Sequence, residues 1–294
     1  MNDTTQSLLR KMASAGDLHG IVRSMKALAI SNIGQYEHAV DALTAYSHII
    51  ELGLGASFRQ LGPINPAFEQ RIKASRSGFT AIVFGSDHGL VGPFNDIAVN
   101  YARYKITSIP GKPRILAIGE RASSRLADVG LTVDQTYPVP LSVSAITTLI
   151  GQILYDNEAI RKMDVSYEMF VFYNRSENAT EYKPVGQQIL PFDQALRKQW
   201  MSNEWPTHWP PDMVGGVVMT ASALIREFMF VSLFKACALS LASENASRLA
   251  AMQRADQNIE ELLVHLSGVY HHLRQQEIDS DLSDIISSYE ARSK

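Results

Sequence analysis

The chain has 294 residues, 46% hydrophobic and 19% charged, with a formal net charge of −3. This composition argues for a folded, soluble class of protein, and the slight negative balance excludes a global basic field for nucleic acid or an anionic membrane surface. One cysteine, Cys237, excludes an internal disulfide and a cysteine-based metal site, and it suits a reducing compartment.

The opening MNDTTQSLLRKMASAG lacks an apolar core long enough for a secretory signal and has few basic residues for a transit peptide, so the mature protein is expected to start here. From Thr4 to about Ser57 the pattern is helical. Leu18, Val22, Met25, Ala29 or Leu28, Asn32 and Tyr36 fall three or four residues apart, and Ala27, Ala29 and Ser31 permit close helix approach. Gly16, Gly20 and Gly34 each cost about 1 kcal/mol relative to alanine, so packing from outside must hold the helix straight. Gly53, Gly55, Gly62, Pro63 and Pro66 are expected to end it and to form a loop to about Ser77.

From Gly78 the period changes. FTAIVF reads as a strand, SDHGLVGPFN as a loop and Asp96 to Thr107 as a helix. The order repeats with a strand at Arg114 to Gly119, a helix at Glu120 to Val129 and a strand at Leu131 to Tyr137. A helix at Ser142 to Asn157 and a strand at Tyr167 to Tyr173 follow, and Glu181 to Gln194 reads as an edge strand. Such alternation predicts a Rossmann-like α/β layer with a mainly parallel sheet, because parallel strands need crossover helices. Trp200 to Asp212 is a connector rich in proline and tryptophan, and Pro211 suits the first turn of a last helix.

That helix runs from Val217 for some seventy residues, about 100 Å at 1.5 Å per residue. Leu249, Met252, Ile259, Leu263, Leu266, Tyr270 and Leu273 form a coiled-coil seam, with Arg248, Arg254, Glu260, Glu261 and Arg274 mostly off it. Met213 to Ala242 is the most apolar window, but Arg226, Glu227 and Lys235 interrupt it, which reads as a helix buried in protein. The fold class expected is α/β plus a long antiparallel coiled coil. The N- and C-terminal helices pair, with coil segments at 1–58 and 212–290 bracketing a central α/β domain at 78–200.

The loop Ser86 to Gly92 follows a strand, where phosphates often bind, but no lysine follows Gly89 and Pro93 follows Gly92. Gly85, Gly89 and Gly92 are also too widely spaced for a dinucleotide fingerprint, so a tight structural turn is the better reading. Asp87 and His88 lack a nucleophile elbow. His265, His271 and His272 lack the spacing and neighbouring glutamate of a zinc helix, so no metal and no cofactor is expected. The aromatic residues of Tyr167 to Tyr173 alternate at strand spacing without interleaved basic residues and suit a sheet core.

Three segments together resemble the γ subunit family of rotary F-type ATP synthases. IVRSMKALAISNI (Ile21 to Ile33) is similar to the family's ITKAMKMVAASKL, with Met25, Lys26 and Ala27 in matching places. SDHGLVGPFN (Ser86 to Asn95) looks like SDRGLCGGFN. LASENASRLAAMQRADQN (Leu241 to Asn258) and RQQEIDSDLSDII (Arg274 to Ile286) are similar to ASEHAARMAAMKNATDN and RQAAITQELTEIV. The chain departs from the family at Asn32, Gly34 and Gln35, where the first helix is usually more basic, and at Asp279, where threonine is common. It also lacks the cysteine-containing insert of chloroplast forms.

The resemblance implies a divergent bacterial-type rotor shaft. Such a shaft stands in a ring of alternating α and β subunits, meets the ε subunit and the membrane ring of c subunits, and supplies no catalytic residue. It implies a peripheral place on the cytoplasmic face of the bacterial inner membrane. By family position Met25, Lys26, Arg248 and Gln275 are candidate rotor or coil contacts, beside the seam residues Leu263 and Leu266. A coiled-coil adaptor would explain the helices but not the middle motif, and a nucleotide-binding α/β enzyme would need the phosphate-cradling lysine that the loop lacks.

Overall fold

A computed structural model describes residues 4–62, 78–163, 167–177, 182–209 and 211–292. Most of the loop expected up to Ser77 lies outside them. Eleven elements are described: α1 (Thr5–Leu61), β1 (Gly78–Phe84), α2 (Phe94–Ser108), β2 (Lys112–Ile118), α3 (Glu120–Asp128), β3 (Gln135–Tyr137), α4 (Val143–Met163), β4 (Glu168–Ser176), β5 (Tyr182–Leu190), α5 (Gln194–Ser202) and α6 (Val217–Arg292). The chain divides into two compact units, one of residues 1–29 with 249–294 and one of residues 30–248.

In the first unit, the early part of α1 pairs with the late part of α6. Thr5 Oγ1 donates to Glu277 and Lys26 Nζ to Asp256, so numbers fall along one helix as they rise along the other and the pair is antiparallel. The residues that α1 buries lie seven apart: Leu8, Ala15, Val22 and Ala29. Half-buried Met12, His19 and Lys26 sit between them. In α6, Met252, Ile259, Leu266 and Leu273 form one heptad series, and Leu249, Asp256, Leu263 and Tyr270 form the other. A strict seven-residue repeat is the signature of left-handed supercoiling, with each side chain set into the facing helix.

Two details differ from the sequence reading. Leu18 and Leu28 are 55% and 64% exposed, so they lie outside the seam. Together with Ile21, also exposed, and half-buried Met25, they form a second apolar stripe on α1 at spacings of three and four.

In the second unit, the sheet order is β3-β2-β1-β4-β5, with the first four strands parallel and β5 antiparallel at the edge. Strand alternation sends Ile82, Phe84, Leu116, Ile118, Met169 and Val171 to one face. There they pack with α4, α1 and α6 residues including Ile150, Leu54 and Leu233. Phe79, Ala81, Val83, Ile115 and Ala117 face the other way onto Val99, Ala102 and Ile106 of α2 and Leu126 of α3. Each fully buried large side chain among them, such as Ile82 or Leu116, contributes about 1.5–3 kcal/mol. β3 is shorter than the strand expected from Leu131, because only Gln135–Tyr137 pair with β2.

Within this unit α1 and α6 are joined by hydrogen bonds from Asn32 to Asn245 and from Tyr46 to Glu227. α6 contains a window of mean hydropathy 1.7, apolar and long enough by composition to cross a membrane. In the fold its Phe228, Met229, Val231, Leu233, Phe234, Ala236, Cys237 and Ala238 are buried in the core shared with the sheet and α4.

Gly53 and Gly55 do not end α1. Both lie inside it, and a Cβ on Gly55 would come 2.1 Å from the Trp200 carbonyl oxygen. Trp200, expected at the start of the connector, belongs to α5, a helix the sequence reading did not anticipate, capped by the Asp193 side chain accepting from Ala195 N–H. Its indole is 1% exposed and meets Phe58, Phe192 and Phe228 at ring centroid distances of 5.0–6.4 Å. Pro211 is not in the first turn of α6, since Gly215 and Gly216 at positive φ precede the helix start at Val217.

Candidate functional site

An open parallel sheet takes ligands at the carboxyl ends of its strands, where the strand order turns. Here that point lies beyond β1, whose neighbours are β2 and β4, and the loop Gly85 to Pro93 occupies it. Several of the loop's groups are engaged within the chain. Gly85 N–H donates to Ile118, Ser86 N–H to Asn95 Oδ1, and Asn95 Nδ2 to Ser86 Oγ. Asp87 accepts from the N–H groups of Glu120 and Val139, while Arg121 N–H donates to the Ser86 carbonyl. The first amides of α3 therefore already hold acceptors from this loop. Gly119, at φ 105°, lets the backbone pass close beside Ser86, where a Cβ would sit 2.6 Å from the carbonyl oxygen.

α6 closes the same region: Ser247 Oγ donates to the Val91 carbonyl. One turn before, Glu244 is 5% exposed and accepts from Arg248 Nη2, and Arg248 Nη1 lies 3.4 Å from Asn245 Oδ1. The second Glu244 oxygen is buried without a hydrogen-bond partner among the described residues. Burial pushes its carboxyl well up, against the pull of Arg248; Asp87 adds to the rise and His88 opposes it. The middle motif and the LASEN segment thus meet as one buried polar joint in the second unit.

In the first unit the apolar seam is broken by one polar layer. Asp256 holds a heptad position, with Lys26 Nζ 2.5 Å from one oxygen and His19 Nε2 2.9 Å from the other. Glu260 lies 3.7 Å from the same ring nitrogen. The Lys26 hydrogen bond, with added attraction from Lys26 and His19, holds the Asp256 carboxyl below its usual range. A polar layer in a seam fixes register at some cost in stability.

The candidate contact residues are spread along the helices and do not converge. Lys26 is a coil contact through Asp256, and Leu266 is buried and Leu263 half-buried in the same seam. Arg248 belongs to the buried joint of the second unit. Met25 is half-buried on the outward stripe of α1, and Gln275 is exposed on α6. His19, Asp256 and Glu260 escaped the sequence reading, although the interval from Leu249 to Leu263 marks position 256 as a seam position held by an acid.

A family model described as ATP synthase matches residues 4–291. The chain is 25% identical to an ATP synthase gamma chain of Glaesserella parasuis over 285 residues, covering 94% of this chain and 95% of the relative. It is also 25% identical over 302 residues to that of Pelagibacter ubique, covering 98% and 99%. Among solved structures, the rotor of the Euglena gracilis mitochondrial ATP synthase matches with a TM-score of 0.62 at 15% identity, covering 93% of this chain and 98% of that one. A chain of the Tetrahymena thermophila mitochondrial central stalk and c-ring matches at 0.53 and 18%, covering 80% and 99%; both likenesses are of fold.

The chain belongs to the ATP synthase family. Within it, the chain is of the gamma type, like the gamma chains it matches over nearly its whole length.

Proposed function

We propose that the chain works as a non-catalytic shaft, carrying rotation between a membrane ring and the catalytic subunits through contact alone. The observation that carries this reading is the amount of apolar surface left outward by a helix pair whose seam is already filled. Ile278, Leu282, Ile285 and Ile286 of α6 are 49–63% exposed and recur at spacings of four, three and one beyond Glu277, where the hydrogen bond to Thr5 lies. With Leu18, Ile21, Met25 and Leu28 they suit cover by other chains.

On this reading the cover is a ring of α and β subunits, and the ε subunit and the c-ring meet the shaft toward the membrane. The complex is peripheral to the cytoplasmic face of a bacterial inner membrane. A shaft whose faces differ biases each catalytic subunit only by binding one conformation better than another, which is allostery by differential contact. The amides of Gly85 and Ser86 and the first amides of α3, engaged within the chain, support a role without nucleotide chemistry, as does the lack of a lysine in the loop Ser86 to Gly92.

The test is reconstitution. The purified chain is expected to show no ATP turnover, and ATP-driven ion uptake by the assembled complex should disappear when the chain is left out. Turnover by the chain alone that survives removal of catalytic subunits, or ion uptake without the chain, would overturn the reading.

A further inference from the structure

We propose that His19, Asp256 and Glu260 form a divalent-metal site of the zinc type that staples the two helices of the first unit together. This inference rests on the local geometry and is independent of the shaft reading. Asp256 and Glu260 are four residues apart and so share a face of α6, and His19 reaches them from α1. The three ligand atoms lie within 4.8 Å of one another. His19 Nε2 is 2.9 Å from Asp256 Oδ1 and 3.7 Å from Glu260 Oε1. Donors bound to one tetrahedral zinc at 2.0–2.2 Å stand about 3.4 Å apart, and these separations bracket that value.

A second observation points the same way. His19 Nε2 and Asp256 Oδ1 are both shut from solvent and face each other at 2.9 Å. A metal ion entering between them would exchange this one contact for two ligand bonds in a site already closed to solvent. Lys26 occupies the other Asp256 oxygen at 2.5 Å, which orients the carboxylate, keeps it ionised and leaves Oδ1 to point at the ion. Lys26 is thus a positioning residue. Glu260 is 64% exposed and has the freedom to close over the ion, and water would fill the fourth position.

The probe is Zn²⁺, titrated into the metal-stripped full-length chain against a fluorescent chelator of micromolar affinity. One zinc per chain should leave the chelator, and the thermal midpoint should rise, because a ligand held by the folded state alone stabilises it. His19→Ala and Glu260→Gln should each weaken binding by about tenfold or more. The exposed His271 and His272 supply the control: changing both to Ala should leave affinity unchanged. Should His19→Ala lose helicity, Glu260→Gln decides alone, since its side chain lies outside the seam. Zinc that stays on the chelator, or zinc binding that both single variants retain, would overturn the site and leave the layer an ion pair only.

Discussion

At the scale of single residues, the sharpest consequence belongs to Glu244 and Arg248. A buried carboxylate is tolerated because one guanidinium faces it, and burial still raises its pKa. A group whose folded pKa is raised contributes stability below its unfolded value, and that contribution is lost as pH rises through the folded value. Removing Arg248 raises the folded value further. Arg248→Ala is therefore expected to destabilise the chain by about 3 kcal/mol near pH 8, where the unpaired Glu244 must either take up a proton or bear its buried charge without a partner. Near pH 5 the loss should shrink, since a protonated Glu244 needs no partner. Denaturant unfolding of variant and wild type at both pH values checks this, and an equal loss at both would contradict it.

Asp256 illustrates what sequence conceals at this scale. Its heptad position is visible in the spacing of its neighbours. Its partners His19 and Lys26 are more than two hundred residues away, and only the pairing of two helices brings them together.

At the scale of elements, the period of the pattern carried most of the fold. Apolar residues three and four apart announced the seam of α6, and the alternation of short apolar strands with helices announced the parallel sheet. What failed were positions where a residue's ordinary preference is overruled by a neighbour. Glycine normally weakens a helix, so Gly53 and Gly55 read as its end. In the fold each is the gap through which another element approaches α1: Leu224 at Gly53 and the Trp200 carbonyl at Gly55. Likewise α5 lay hidden beside aromatic and proline residues, because its indole is held by the distant Phe58 and Phe228 together with the nearby Phe192.

Gly55→Ala tests this directly. Helix propensity alone predicts a gain of about 1 kcal/mol, whereas a methyl group pressed onto a backbone carbonyl costs about 1–3 kcal/mol and should win. The expected outcome is a lower thermal midpoint, and a higher one would show that α5 gives way without penalty.

At the scale of the whole molecule, the candidate site was legible only in part. The family motifs led to the helices and to the loop after β1, yet their residues divide into seam, buried joint and outward stripe, a distinction that depends on helix phase. Met25 falls on the outward stripe with Leu18, Ile21 and Leu28. Met25→Lys places a flexible cation on a surface proposed to slide past several subunit conformations. Extra attraction in one angular position deepens that well, and about 1.4 kcal/mol slows escape tenfold. Assembly should survive, and ATP-driven ion uptake should fall relative to ATP hydrolysis in reconstituted complexes. Unchanged coupling would remove Met25 from the contact surface, and failure to assemble would make it a residue of the coil.

The hydrogen bond from Ser247 to Val91 has a bearing on how the protein is made. It spans 156 residues, and the one from Thr5 to Glu277 spans 272, so the segments translated last complete structure begun by the segments translated first. While the chain is still on the ribosome, the sheet face that will meet α6 is bare and α1 waits without its antiparallel mate. Closing such long loops is slow, and the uncovered apolar surface is a hazard for aggregation in the interval. Truncation before α6 should therefore yield a nascent chain that chaperones retain.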